Sequence, residues 1–246
     1  FDWPTGTLTE TNSGADVVLD GYLNSDVSPI AIGLTAGDNA NSTDYIAIGT
    51  GALRYGAGSV KTSPIAIGTN AGNRGLGSGS IAIGLTALED ATSDNIIGIG
   101  EGAGQNGPRA GAVILGKDSG LYTAGYRSVS IGYEAGRSNS LTDPVNSGQL
   151  SVNIGGQAGY QNAAYGTVNL GYRAGYVDTG YGSINIGITA GSEGVAENTI
   201  QIGVNAGATT PGANAVSMGF QAGSNTAGSR SVNIGARAGN TDAGVY

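Results

Sequence analysis

The chain is built on one recurring phrase, in which two aliphatic residues flank a third residue and a glycine follows, as in Val232-Asn233-Ile234-Gly235. Thirteen versions occur, and their glycines lie 16 residues apart in ten of the twelve intervals and 19 and 23 residues apart in the other two. We number the unit so that this glycine is position 5. The thirteen glycines are Gly33, Gly49, Gly68, Gly84, Gly100, Gly116, Gly132, Gly155, Gly171, Gly187, Gly203, Gly219 and Gly235. A fixed period of this kind indicates a repeat array whose units fold only against their neighbours.

The aliphatic residues predict a strand. Position 2 is Ile or Val and position 4 is Ile, Leu or Met in all thirteen units. This period of two is typical of a strand with one buried face, so we expect positions 2 and 4 to point into the core and position 3 to point away from it. A helical alternative is disfavoured, because the 47 glycines would each cost roughly 1 kcal/mol in helix interiors.

The rest of the unit suits tight corners. Position 8 is Ala in twelve units, and position 9 is Gly in eleven, with Leu53 and Leu88 as the departures. Sixteen residues at roughly 3.3 Å each are enough for one narrow coil of two short strands. We therefore predict an all-β fold, a parallel β-roll or β-solenoid of about 13 coils with a 16-residue repeat. At about 4.8 Å per coil it forms a rod on the order of 60 Å long.

The repeat divides the chain into two parts. Residues 1–28 do not keep the repeat register and contain five acidic residues without Lys or Arg. We interpret them as an irregular acidic N-terminal cap over the first coil, or as a docking segment for another subunit. Residues 29–246 form the β-solenoid domain, with loop insertions at about 54–64 and 137–150, which are tolerated decoration or recognition features. The start at Phe1 and the final complete coil at Tyr246 indicate a processed form or a fragment, or an end that another subunit covers.

Composition disfavours several classes of function. A net charge of −8 with 11% charged residues makes nucleic acid an improbable partner. The chain lacks Cys and His, so thiol nucleophiles and a Ser-His-Asp triad are excluded. No apolar run reaches the ~20 residues of a membrane span. We expect no catalytic, cofactor-binding or metal-binding residues and no enzymatic activity. A polysaccharide-cleaving enzyme would need clustered carboxylates and an ice-binding solenoid would need regular Thr ladders, and both patterns are absent.

Tyrosines are concentrated in the middle of the chain, where eight of the twelve lie between Tyr122 and Tyr181. Equal positions in adjacent coils stack, so they should form short exposed aromatic columns beside Arg173. The alternatives are simple ladder packing and a surface patch that binds a glycan or a protein. The members are Tyr126, Tyr165 and Tyr181 at position 15, Tyr133 and Tyr172 at position 6, and Tyr160 and Tyr176 at position 10.

Position 3 changes character along the chain, from Ala or Gly in the first five units to mostly Asn, Ser or Gln later. On an outward face, small residues would allow a neighbouring subunit to approach and stacked Asn could form a ladder. We interpret this column as an oligomer contact or as an ordinary solvated surface. The residues concerned are Ala31, Ala47, Ala66, Ala82, Asn153, Asn169, Asn185 and Asn233.

The repeated Ser-Ile/Val-x-Ile-Gly-x-x-Ala resembles the head repeats of trimeric autotransporter adhesins, the YadA-like family. The fuller form, from Gly171-Tyr172-Arg173-Ala174-Gly175-Tyr176 to Ser183-Ile184-Asn185-Ile186-Gly187, is similar to repeats in phage tail fibres. The resemblance covers about residues 29–246. It implies a left-handed β-roll, commonly trimeric, that is displayed on a cell or virion surface for attachment.

These observations together predict a non-enzymatic extracellular structural and adhesive fibre protein. Its partners would be further copies of itself, as a homotrimer or an end-to-end polymer, and a host-surface glycan or protein. The alternative is a subunit of a self-assembling extracellular filament, in which the N-terminal segment of one solenoid docks on the last coil of the next.

Overall fold

A computed structural model describes residues 29–38, 40, 42–54, 60–122, 124–137, 148–209, 211–225 and 228–240. The predictions for the N-terminal segment 1–28, for the middle of each loop insertion and for the end of the chain lie outside these residues.

The predicted fold class is confirmed: the described residues form a β-solenoid of parallel strands without a helix. Copies of the phrase make one sheet of 13 strands, wound in about 11 turns, slightly fewer than the predicted 13 coils. The strands of this sheet are β1 (Ile30–Ile32), β3 (Ile46–Ile48), β5 (Ile65–Ile67), β6 (Ile81–Ile83), β7 (Ile97–Ile99), β8 (Val113–Leu115), β9 (Val129–Ile131), β10 (Val152–Ile154), β12 (Val168–Leu170), β14 (Ile184–Ile186), β16 (Ile200–Ile202), β17 (Val216–Met218) and β18 (Val232–Ile234).

Two smaller sheets, of three and two strands, lie elsewhere on the coil. Their strands are β2 (Ser42–Thr43), β4 (Lys61–Thr62), β11 (Gln161–Ala163), β13 (Val177–Thr179) and β15 (Glu193–Val195). Pairing is parallel and keeps equal positions together, as in Ile184 beside Ile200 and Asn185 beside Gln201. Among the described residues, no helix is long and apolar enough to cross a bilayer.

The predicted direction of the strand side chains is wrong. Position 3, not positions 2 and 4, points into the coil: Ala47, Ile114 and Asn185 have no exposed surface, whereas every position-2 and position-4 residue is half-buried or exposed. The eight residues interpreted as oligomer contacts therefore line the interior and lose that interpretation. Ala47, Ala66, Ala82, Asn153, Asn169 and Asn185 are at most 1% exposed, and Ala31 and Asn233 are half-buried near the ends of the stack.

The reason is the width of the coil, which holds one large side chain from position 3 or position 9 but not both. A Cβ on the position-9 residue Gly191 would lie 2.0 Å from Oδ1 of Asn185, its position-3 partner. In the two coils where position 9 is Leu, position 3 is Ala: Ala47 occurs with Leu53 and Ala82 with Leu88, and all four are buried. Branched side chains at positions 2 and 4 therefore do not fit inside.

The interior is apolar in the first half and amide-rich in the second. The apolar part consists of alanines together with Leu53, Leu76, Leu88, Ile96 and Ile114. Beyond it, Nδ2 of Asn169 donates to Oδ1 of Asn153 at 2.8 Å, and Nδ2 of Asn185 donates to Oδ1 of Asn169 at 2.8 Å. The ladder satisfies buried amides that would otherwise be costly. It stops at Gln201, where Oδ1 of Asn185 and both amide atoms of Gln201 have no partner in the described structure.

The position-5 glycines form a close-packed backbone column. Their φ angles lie between 121° and 133°, and a Cβ on any of the first twelve would lie 2.4–2.9 Å from the carbonyl oxygen of the next glycine. Both the backbone conformation and the close approach therefore require glycine here.

Replacing Gly187 by Ala should lower the free energy of unfolding by at least about 3 kcal/mol, because strain at φ +133° adds to a Cβ contact of 2.4 Å with the Gly203 carbonyl oxygen. Gly228→Ala is the matched control, since a Cβ there meets nothing within 4 Å, and it should stay within about 0.5 kcal/mol of wild type. Equal stability of the two variants in denaturant unfolding would contradict the stacked-glycine account.

Replacing Gln201 by Asn should raise the free energy of unfolding by about 1–3 kcal/mol, because the shorter amide can donate to the unpartnered Oδ1 of Asn185 and extend the ladder. The half-buried Gln161, at the start of β11, provides the matched control. Gln161→Asn should give no such gain, and a destabilised Gln201→Asn protein would show that the ladder does not continue.

Candidate functional site

Because the side chains at positions 2 and 4 point away from the coil interior, the outside of the long sheet carries an aliphatic surface. We call positions 2, 4 and 6 of the thirteen units the outward face. Position 2 and position 4 supply Ile, Val, Leu and Met throughout, and position 6, directly after the glycine, adds further large apolar side chains. Those at position 6 are exposed: Leu85 by 48%, Ile188 by 52% and Phe220 by 48%.

The outward face has the extent of a protein interface, and its apolar surface is interrupted at position 6 by Thr50, Thr69, Glu101 and Lys117. Thirteen strands and the five residues from position 2 to position 6 span roughly 60 Å by about 13 Å, or on the order of 800 Å². The largest apolar patch on a typical monomer is about 300–600 Å², whereas a stable protein interface covers about 800 Å² on each partner. The outward face therefore has the size and composition of a surface that another molecule covers.

A second feature, which we call the aromatic corner, consists of Tyr122, Tyr133, Arg137, Tyr160, Tyr172, Arg173 and Tyr176. The Tyr160 and Tyr176 rings stack with centroids 5.0 Å apart and planes 10° from parallel. The Arg173 guanidinium lies over the rings of Tyr172 and Tyr176 at 5.3 and 4.9 Å from their centroids. The Arg137 guanidinium lies 5.6 Å from the centroids of both Tyr122 and Tyr160, so rings and cations form one continuous row of contacts with the stacked pair Tyr160 and Tyr176 at its centre.

Hydrogen bonds fix this column along the solenoid axis. Glu134, a buried carboxylate, accepts from Nη1 of Arg137 and from Nε2 of Gln157, the latter at 2.8 Å. Oε1 of Gln157 accepts from Nε of Arg173 at 2.8 Å. Burial raises the pKa of Tyr160, against the opposing effect of the Arg137 charge. The most exposed rings of the corner are those of Tyr133 and Tyr172, at 53% and 49%, and the Arg173 guanidinium lies over one face of Tyr172.

The eight residues of the predicted patch lie at two corners of the coil. Tyr133, Tyr160, Tyr172, Arg173 and Tyr176 meet at the aromatic corner. Tyr126, Tyr165 and Tyr181 lie in the turns at position 15 and are 37–45% exposed. There the cation over Tyr126 is Arg127, at 4.7 Å from the ring centroid. The shared positions thus predicted the Tyr160–Tyr176 stack but do not give one continuous patch.

Four members of this network were missed by sequence reasoning. Arg137 shares position 10 with Tyr160 and Tyr176, and this alignment was the available signal. Glu134 and Gln157 share position 7 with Arg173 in three consecutive coils, so the same kind of signal was available for them, and only Tyr122 gave none. Within the described ranges, no group of three or more acidic side chains converges on a point where a metal ion could bind.

Comparison of the chain with protein-family models, with curated proteins and with solved structures found no match.

Replacing Tyr160 by Phe should reduce the loss of stability in alkali. A raised folded-state pKa stabilises the fold fully below the ordinary tyrosine pKa of 10.0, and that contribution is lost as the pH rises through the higher folded value. Phe cannot ionise, so the variant should lose less free energy of unfolding than wild type as the pH rises above about 9. Tyr181→Phe, on the other corner, is the control, and identical alkaline losses for wild type and Tyr160→Phe would contradict the assigned burial effect.

Proposed function

We propose that the chain is a non-enzymatic structural and adhesive fibre segment, in which copies associate side by side as a homotrimer through the outward face. The observation that carries this proposal is the position-2 and position-4 columns, which run the length of the sheet and leave Ile99 and Ile154 38% and 37% exposed. Covering such a surface releases water from apolar groups, at about 25 cal/mol per Å² of area buried. The resemblance of the repeat to trimeric adhesin heads and tail fibres also supports the proposal.

The repeat also suits a mechanical role. Each coil contributes parallel main-chain hydrogen bonds to both neighbours, such as Gly187 N to Leu170 O and Gly203 N to Ile186 O, both 2.8 Å. The result is a rod whose length grows with the number of coils. A rod of this kind displays surface side chains at fixed spacing and needs no pocket, which supports an extracellular setting on a cell or virion surface.

For the adhesive part of the function, the aromatic corner is the proposed contact. Tyr133 and Tyr172 are half exposed, and the Arg173 guanidinium, which donates to Gln157, lies over the Tyr172 ring, a combination that suits sugar rings with hydroxyl groups. We place a host-surface glycan ahead of a protein as the target, because the exposed rings are few and polar groups adjoin them.

Association through the outward face predicts a discrete trimer by light scattering and sedimentation. Ile154→Lys and Ile99→Lys should each shift the chain to monomers, because an uncompensated charge would be buried at the interface, while the fold should persist since both side chains are already partly exposed. Tyr165→Lys is the matched control, with 45% exposure at another corner, and it should remain trimeric. A monomeric wild type would contradict the proposal, and long polymers would favour the end-to-end filament.

A further inference from the structure

One coil of the position-6 column lacks a side chain between two exposed tyrosines. Position 6 is Tyr133, Gly156 and Tyr172 in three consecutive coils. The backbones of these coils stack, because Gln157 N donates to Tyr133 O at 2.8 Å. In the next coil, Arg173 N donates to Gly156 O at 3.0 Å. The two tyrosines are 53% and 49% exposed. We call the gap between them, with Gly156 as its floor, the tyrosine notch.

The fold does not require glycine at the floor of the notch. Gly156 is the only glycine among the thirteen position-6 residues, and unlike the position-5 glycines it does not have a positive φ. A Cβ there would meet only Cδ2 and Cε2 of Tyr172, at 3.4 and 3.8 Å, which is ordinary van der Waals contact. Neither backbone strain nor packing therefore explains the missing side chain. Its effect is to keep the surface beside Tyr172 open.

The notch has the width of one sugar ring. Tyr133 and Tyr172 are two coils apart, a separation of about 9.6 Å along the axis. A ring stacked between two side chains needs roughly 7–8 Å, because carbon atoms in contact are about 3.5–4.0 Å apart. Tyrosine rings supply a large apolar contact area with a polar tip and few rotatable bonds. The notch therefore admits one ring and leaves no room for a second.

The polar side chains beside the notch donate in one direction. Position 7 of the same three coils is Glu134, Gln157 and Arg173. Nε of Arg173 donates to Oε1 of Gln157, and Nε2 of Gln157 donates to Oε2 of Glu134, both at 2.8 Å. The other oxygen of Glu134 accepts from Arg137. The side-chain acceptors of this row are thus engaged, whereas the terminal amino groups of Arg173 make no hydrogen bond within the part of the chain that the structure describes.

The charge next to Tyr172 is positive. Glu134 is only 8% exposed and is paired with Arg137. The next acid along position 7, Asp118, lies three coils from Arg173, about 14 Å away, which exceeds the screening length of about 8 Å at physiological ionic strength. Among the described residues, Arg173 forms no ion pair. A guanidinium with free N–H groups is suited to a carboxylate, which it can bind through two parallel hydrogen bonds.

We propose that the tyrosine notch binds one carboxylate-bearing sugar ring of a surface glycan, with the ring between Tyr133 and Tyr172 over Gly156 and the carboxylate on the Arg173 guanidinium. This inference rests on the proposed adhesive function and deepens it by naming the class of sugar. Position 6 lies at the rim of the outward face, beside the aromatic corner. A second copy can therefore cover the position-2 and position-4 columns while the notch stays accessible.

The test measures binding of the assembled wild-type chain to oligosaccharides that contain glucuronic, galacturonic or sialic acid, and to the same oligosaccharides with each carboxylate reduced to an alcohol. At least one acidic probe should bind. Its reduced form should bind at least about tenfold more weakly, because the charge-assisted hydrogen bonds are lost. Arg173→Gln should weaken binding of the acidic probe by a similar factor and leave binding of the reduced probe unchanged.

Filling the notch tests its location. Gly156→Leu should weaken binding of the acidic probe at least about tenfold. The fold and the trimer should persist, because position 6 carries leucine in the coil of Leu85 and a Cβ on Gly156 makes no close contact. Thr69→Leu is the matched control, since Thr69 is exposed in the same column several coils away, and it should bind as wild type does. Circular dichroism and sedimentation verify the fold and the assembly of both variants.

The outcomes separate this inference from the proposed function. A trimeric wild type that binds acidic and reduced probes equally, or that binds only uncharged glycans, overturns the carboxylate-binding notch alone. Binding of the acidic probe that survives Gly156→Leu also overturns it, because the ligand would then lie elsewhere. A wild type that binds no glycan of either kind contradicts the adhesive part of the proposed function as well. A monomeric wild type whose acidic-probe binding requires Gly156 and Arg173 supports the notch and contradicts the proposed trimer.

Discussion

The interior of each coil is narrow, and this limit determines where most large side chains go. Position 3 and position 9 share one space beside the buried position-8 alanine, while Leu76 and Ile96 fill the interior from other positions. Asn185 shows the constraint directly, since its Oδ1 is where a Cβ on Gly191 would lie. In the coil of Leu88 the exchange runs the other way: position 9 carries the leucine and position 3 is Ala82, both without exposed surface. Because strand residues alternate, the aliphatic residues at positions 2 and 4 must point outward.

The apolar outward face and the partly polar interior reverse, on this side of the coil, the usual distribution of residues in a soluble protein. The polar half of the interior is tolerable because equivalent amides in adjacent coils are about one hydrogen bond apart, as the 2.8 Å contacts of Asn153, Asn169 and Asn185 show. The apolar exterior is tolerable if another molecule covers it. The side-chain arrangement within one chain and the proposed association of several chains therefore both follow from the same narrow cross-section.

Much of the fold could be predicted from the sequence. The 16-residue period predicted the coil length and the parallel stacking, and the alternation at positions 2 and 4 together with the glycine content predicted the β character. The direction of the side chains could not be obtained in the same way, because the rule that aliphatic residues face the core assumes an interior wide enough for them. The compensating changes at positions 3 and 9, Ala82 with Leu88 and Asn185 with Gly191, carried the missing information. The left-handed backbone at position 7 could not be predicted in every coil. Arg173, for example, has a φ of 53°, but this position is neither Gly nor Asn in its coil, so the sequence did not indicate the conformation.

The candidate site was predictable only where coils are alike. Tyr160 and Tyr176 share a position and stack, as equal positions in a solenoid should. Arg137 joins them from the first residue of a loop insertion, and Glu134 and Gln157 join through contacts between unlike side chains.

A density map of the assembled protein at side-chain resolution tests the central claim most directly. The account predicts that Asn153, Asn169 and Asn185 form a ladder inside each coil, while the Ile and Val columns at positions 2 and 4 point out of the coil toward a second copy. A map in which Ile184 and Ile186 fill the coil interior and the Asn ladder lies on the surface would contradict it.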